Sequence, residues 1–201
     1  MTRQLFAARD AFLLASAAMV CMFGLLLFGA DGPQAVATVA GVPTGNPPAS
    51  SLKMMLAFDT VLPLSYAAGF VLMGTGLAKN EASQRLLLPF FLFVFIGVSM
   101  DFIENGIAMG TAFYNGSIMP FATILKYGGL GIAAFILSVI LEPKTMLGNL
   151  AIPVMRYVTP ISLALLMSGV GGETAVWFFV LTLLGTFLFL AAVSHAEGKA
   201  D

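Results

Sequence analysis

The stretch Leu86–Gly110, LLLPFFLFVFIGVSMDFIENGIAMG, decides how the rest of the chain is read. Its first fifteen residues carry no charge, and the run as a whole is long enough to cross a bilayer core, which takes about 20 apolar residues in an α-helix. Its last ten hold Asp101, Glu104 and Asn105. An apolar run with acids inside it points to a membrane helix that carries a polar site, because ionisable groups in lipid are costly unless they face a partner or a cavity.

Working outward, the same test finds further runs. Sequence alone predicts an all-α integral membrane protein, a single membrane domain over residues 1–201 with about six transmembrane helices. They are expected at about Ala11–Ala30, Met54–Ala78, Leu86–Gly110, Pro120–Leu141, Leu147–Val170 and Ala175–Ser194. Breaks between them have turn chemistry: Gly32-Pro33, Pro43-Thr44-Gly45 and Asn46-Pro47-Pro48 in an extracytoplasmic loop over 31–53, Lys79 to Arg85, Tyr114-Asn115-Gly116, Glu142-Pro143-Lys144, and Gly171-Gly172-Glu173-Thr174. The first run is too long for a signal-peptide core, and a cut after Ala30 would place Phe28 where a small residue is needed, so it is read as a retained helix. The fifth is the least regular. Pro153, Arg156 and Pro160 fall in its first half, which predicts a kinked helix whose arginine snorkels to the inner headgroups, or else an interfacial segment up to about Tyr157.

Composition agrees with this. Of 201 residues, 59% are apolar and only 9% charged, against about 25% charged in an average soluble domain. The formal net charge of −1 offers no basic surface, so no nucleic-acid partner is expected. Cys21 is the single cysteine and His195 the single histidine, which leaves no intrachain disulfide and no histidine-rich metal site. His195 is expected in solvent at the inner end of the last helix. No nucleotide-binding loop, zinc motif or dinucleotide fingerprint occurs, and no cofactor is expected.

Lysine and arginine placement predicts orientation. With both termini cytoplasmic, in a bacterial inner membrane, Arg3, Arg9, Lys79, Arg85, Lys144 and Lys199 fall inside, Arg156 lies near the inner face, and Lys53 is outside. Tyr114 and Trp177 then fall at the outer interface.

The polar residues inside the runs are the candidate binding site: Asp59 and Tyr66 on the second helix, Asp101, Glu104 and Asn105 on the third, Lys126 on the fourth. Offsets of three, four and seven place each set on one helix face. All three helices bring these groups to similar depth in the outer half. Two carboxylates one turn apart in low dielectric cannot both stay charged without a cation, so one is expected to be protonated or ion-bound. Small residues around them, Gly106 to Gly110 and Gly128, Gly129 and Gly131, suit close helix approach. The motif pair Phe58-Asp59…Pro63…Tyr66 and Asp101-Phe102-Ile103-Glu104-Asn105 resembles elements of small, uncharacterised bacterial multi-span membrane proteins with a DxxEN-type helix. The resemblance covers the second and third helices and implies no activity.

Three functions fit these residues. The first is proton-linked binding or transport of a small substrate or ion. The second is an accessory role in a larger membrane complex, with membrane-protein partners or a second copy docking on small-residue faces. The third is a membrane enzyme acting on a lipid or isoprenoid, with two carboxylates as acid and base. A purely structural lock, Lys126 pairing with the acids to hold the bundle, competes with all three.

Overall fold

A computed structural model describes residues 2–28, 50–109, 118–167 and 172–200. They form helices α1 (Thr2–Phe28), α2 (Ser50–Leu77), α3 (Leu87–Met109), α4 (Ile118–Ile140), a composite α5, and α6 (Gly172–Ala200). A single helical turn, Glu81–Arg85, precedes α3. Five helical stretches are long and apolar enough to cross a membrane: Thr2–Leu25, Ala57–Leu77, Glu81–Gly106, Phe121–Ile140 and Val180–Ala200. The remaining helix, α5, runs as Met146–Pro153, a π-helical turn Val154–Val158, and Thr159–Met167. At 1.5 Å per residue it is about 33 Å long, enough for a bilayer core. The chain therefore continues helically through Tyr157 where an interfacial break was the alternative.

Pro160 shapes α5. It has no N–H to give the carbonyl of residue 156, which weakens the regular ladder there. The ladder slips to the wider pattern, with the Thr159 N–H and hydroxyl both on the Val154 carbonyl.

Each helix packs on its neighbours in sequence, and α6 packs back on α1, closing a ring of six. Phe12, Met73, Phe90, Leu137, Met155, Phe187 and Leu190 are fully buried inside it. The outside is apolar too: Leu88 is 78% exposed, Phe95 68% and Leu181 66%. Side chains of that kind over a whole surface suit lipid and not water.

α1 and α6 begin and end further out than their apolar runs. Leu5, Ala8, Phe12 and Ala15 are buried at spacings of three and four, as are Leu190, Val193, Ser194 and Glu197. A hydropathy count misses such helix ends because their outer face is polar while their inner face still packs.

One end of the bundle is tied by polar contacts. Arg9 Nη1 donates to His195 Nδ1 at 3.3 Å, joining the start of α1 to the end of α6. His195 is half-buried there against Phe6, with ring centroids 5.7 Å apart, and not free in solvent as the sequence suggested. Glu142 accepts from Asn80 Nδ2 at 2.6 Å and Ser83 Oγ at 2.8 Å, joining the α2–α3 and α4–α5 turns. Glu197, 1% exposed, accepts from the backbone N–H of Lys144 and from the N–H and hydroxyl of Thr145. Thr145 in turn caps α5 by accepting from the Gly148 N–H at 3.0 Å. A side chain at Gly148 would collide with the Glu197 carboxylate, so the contact requires glycine. The start of α1, the end of α6 and two of the turns thus share one end of the bundle.

Glu197→Ala removes the acceptor of these N–H and hydroxyl groups. It should lower stability by about 1–3 kcal/mol, and Glu197→Gln by less, in thermal unfolding of the detergent-solubilised chain. Unchanged melting in both variants would show that the contact contributes nothing. The Glu142 tie has its own pH signature. The hydrogen bond from Ser83, with help from backbone N–H groups, holds the Glu142 carboxyl below its ordinary value of 4.5. A lowered folded-state value favours folding above the ordinary range, and that contribution is lost as pH falls through the folded value. The stability lost in Glu142→Ala should therefore be seen in thermal unfolding at neutral and mildly acidic pH and vanish only below that range.

Candidate functional site

In the half of the bundle away from these ties, the polar residues of α2, α3 and α4 meet. Asp59 lies nine residues from the start of α2, Asp101 eight from the end of α3, and Lys126 eight from the start of α4. The rise per residue places all three about 12–14 Å from their helix ends. Tyr66 is two turns deeper, but helical side chains lean toward the N-terminus, which carries its hydroxyl back up to the others.

Lys126 is the hub. Its Nζ lies 2.6 Å from Asp101 Oδ1 and 2.8 Å from Glu104 Oε2, with only 13% of the side chain exposed. Tyr66 Oη donates to the other Asp101 oxygen, Oδ2, at 2.9 Å. Thr123, one turn before Lys126, donates to the second Glu104 oxygen. The lysine also sits over the Tyr127 ring, 5.1 Å from its centre. Asp101 is 1% exposed and Asn105 5%. Asp59 shares the electrostatic field of Asp101, Lys126 and Glu104, and its carboxyl faces the Asn105 amide. The Asn105 Nδ2 nevertheless stops short of a well-formed hydrogen bond with any described group. All six residues singled out from the sequence therefore belong to one cluster.

The approach of α3 to α4 makes this possible. A Cβ on Gly129 would sit 3.1 Å from the Phe93 carbonyl oxygen and 3.4 Å from the Gly97 nitrogen, so the backbones touch one turn below Asp101. The glycine pattern at 106–110 plays no such part in the described chain, since the space beside Gly106 is open and Gly110 lies outside the described residues. Pro63 adds a further feature. It lacks the N–H that would close a helical turn on the Asp59 carbonyl, so the backbone at Asp59 has lost its regular donor.

Tyr66 is held by an aromatic cluster the sequence did not single out. Its ring stacks on Phe187 of α6 at 5.9 Å and meets Phe70 edge-on, and both of those rings pack on Phe12 of α1. Fixing that ring fixes the hydroxyl on Asp101, so α1 and α6 support the site from behind. Phe12 and Phe187 lie 175 residues apart, and no local spacing connects them. Glu197 was also missed. It carries no sign in sequence that distinguishes it from a solvated charge on a polar tail.

The described chain offers no group of histidine, cysteine and carboxylates placed for a metal ion. The expected turn at Tyr114-Asn115-Gly116 and most of the expected 31–53 loop lie outside the described residues, as does the side chain of Trp177. Compared with family models, curated proteins and solved structures, the chain matches none.

Lys126→Met strands two carboxylates. Breaking a buried pair costs about 3–5 kcal/mol, so this variant should be among the least stable single changes in the bundle. Tyr66→Phe removes one donor to a charged oxygen and should cost about 1 kcal/mol. Reversible unfolding in mixed micelles measures both. An equal effect of the two would place the lysine's contribution in packing and not in charge.

Proposed function

We propose that the Asp59–Asp101–Glu104–Lys126 cluster is a site for proton-linked binding or transport of a small cationic substrate or ion. The observation that carries this reading is charge imbalance around an unsatisfied amide. Among the described residues one ammonium faces three carboxylates, two more than it can offset. Lys126 pairs with Asp101 and Glu104, and Tyr66 and Thr123 donate to them, whereas among the described residues Asp59 feels Lys126 at longer range and faces the poorly engaged Asn105 amide. A purely structural lock favours matched charges, because an uncompensated buried carboxylate is expensive. A proton or a small cation beside Asp59 completes the balance. Asn105 then offers a carbonyl oxygen to a cation, or its amide to a ligand acceptor. The chain is further proposed to lie in a bacterial inner membrane with both termini cytoplasmic. The tied end carries Arg3, Arg9, Lys79, Arg85, Lys144 and Lys199, and the site then lies in the outer half of the bundle.

Two measurements test this. Thermal stability of the purified chain should depend on pH, or on sodium, potassium or ethylammonium at fixed ionic strength, and the dependence should collapse in Asp59→Asn. A wild type insensitive to all of these, with Asp59→Asn unchanged, would leave a structural lock as the better account. Reporters inserted within residues 31–49 and at Lys144 should report opposite compartments, with 144 cytoplasmic. The same compartment for both would overturn the proposed topology.

A further inference from the structure

A second feature lies on the lipid-facing side, away from the acidic cluster. An open groove of about 300 Å³ runs between α4 and α5. Tyr127, Gly128, Gly131 and Phe135 line it from α4, and Pro160 and Arg156 from α5. Its walls are apolar except at one end. A Cβ on Gly128 would meet nothing within 4 Å, and one on Gly131 only ordinary contacts, so the two glycines form its floor. The π-helical turn packs on α4 and sets Arg156 at the end of the groove nearer the basic face of the bundle.

Among the described residues Arg156 has no counter-charge. Nε donates to Ser138 Oγ at 3.2 Å and Nη2 to the Ser138 carbonyl at 3.3 Å, which fixes the guanidinium against α4. Among the described residues it makes no ion pair, and Nη1 donates to nothing. A guanidinium presents a planar fork that suits phosphate oxygens, and an arginine on a lipid-facing surface reaches toward the headgroup phosphates near its helix end. Below it the glycine floor leaves a channel about as long as the helical rise from Tyr127 to Phe135, about 12 Å. A fixed cation at the mouth of an apolar channel matches one class of molecule in its surroundings, a phosphate carried on a hydrocarbon chain.

We propose that this groove binds one anionic phospholipid of the bilayer, its phosphate on Arg156 and one acyl chain along Gly128 and Gly131; a zwitterionic headgroup carries its own cation beside the phosphate, so its net attraction to the guanidinium is weaker. Tyr127 is shared, since its ring lines the groove and also faces the Lys126 ammonium, so the lipid would border the polar cluster without entering it.

Native mass spectrometry of the full chain, stripped of lipid and titrated with phosphatidylglycerol or phosphatidylcholine of matched chains, tests this. The wild type should retain phosphatidylglycerol at least fivefold more strongly. Arg156→Gln should abolish the preference, and Arg156→Lys should restore part of it. Gly128→Leu projects into open space, so it leaves the fold intact while filling the channel, and it should weaken both lipids. No preference in the wild type, or a preference that survives Arg156→Gln, would overturn the proposal. Inorganic phosphate competing as well as the lipid would also overturn it, because the acyl channel would then contribute nothing.

Discussion

A lysine in hydrocarbon has to be compensated, and Lys126 is compensated by two acids on a neighbouring helix. Water would offset an exposed ammonium at little cost, whereas a bilayer core offers no such solvent. Lys126 is therefore confined to where Asp101 and Glu104 are, and its neighbours are confined with it. Gly129 and Gly97 let α3 and α4 come close enough for the reach. Tyr66 and Thr123 occupy the carboxylate oxygens that the lysine leaves. The aromatic stack of Phe12, Phe70 and Phe187 holds Tyr66 in register. A chain of contacts thus runs from α1 and α6 through α2 to α3 and α4, and the ring of helices is organised around one charge.

The two halves of the bundle solve the polar problem differently. At the tied end, carboxylates meet backbone N–H groups and hydroxyls: Glu197 at the start of α5, Glu142 between two turns. Such contacts need no opposite charge, and Glu197 additionally lies at a helix N-terminus, where a negative charge is favoured. In the other half the acids meet a cation, and there are more acids than the cation can offset. The first arrangement is closed and suits a fixed structural role. The second is open in charge, which is why the functional proposal rests there.

The helix that departs most from regularity, α5, is also the one whose polar residue faces outward. Pro160 interrupts the backbone ladder beside Arg156, and the resulting π-turn directs the guanidinium along α4 and not into the bundle. Lipid-facing cations of this kind sit at the boundary between protein and membrane, so the same backbone irregularity that makes α5 hard to recognise by hydropathy gives the surface a groove with a charged end.

Much of this was legible in the sequence because it is written in local terms. Apolar runs of sufficient length mark the helices, since the thickness of a bilayer sets the length of a span. Offsets of three and four put Asp101, Glu104 and Asn105 on one face, since the helical repeat does so wherever a helix forms. Equal depth of Asp59, Asp101 and Lys126 follows from counting along antiparallel helices. What the sequence left open depended on which helices touch. That Lys126 bridges Asp101 and Glu104 while Asp59 turns to Asn105 is decided by the glycine contact between α3 and α4. That Glu197 is buried and His195 is half-buried is decided by α6 returning to α1 and to the α4–α5 turn, contacts between residues 52 to 186 positions apart. Length and periodicity are properties of one helix and can be read from its residues, whereas compensation of a charge belongs to a pair, and only the packed ring determines which pairs exist.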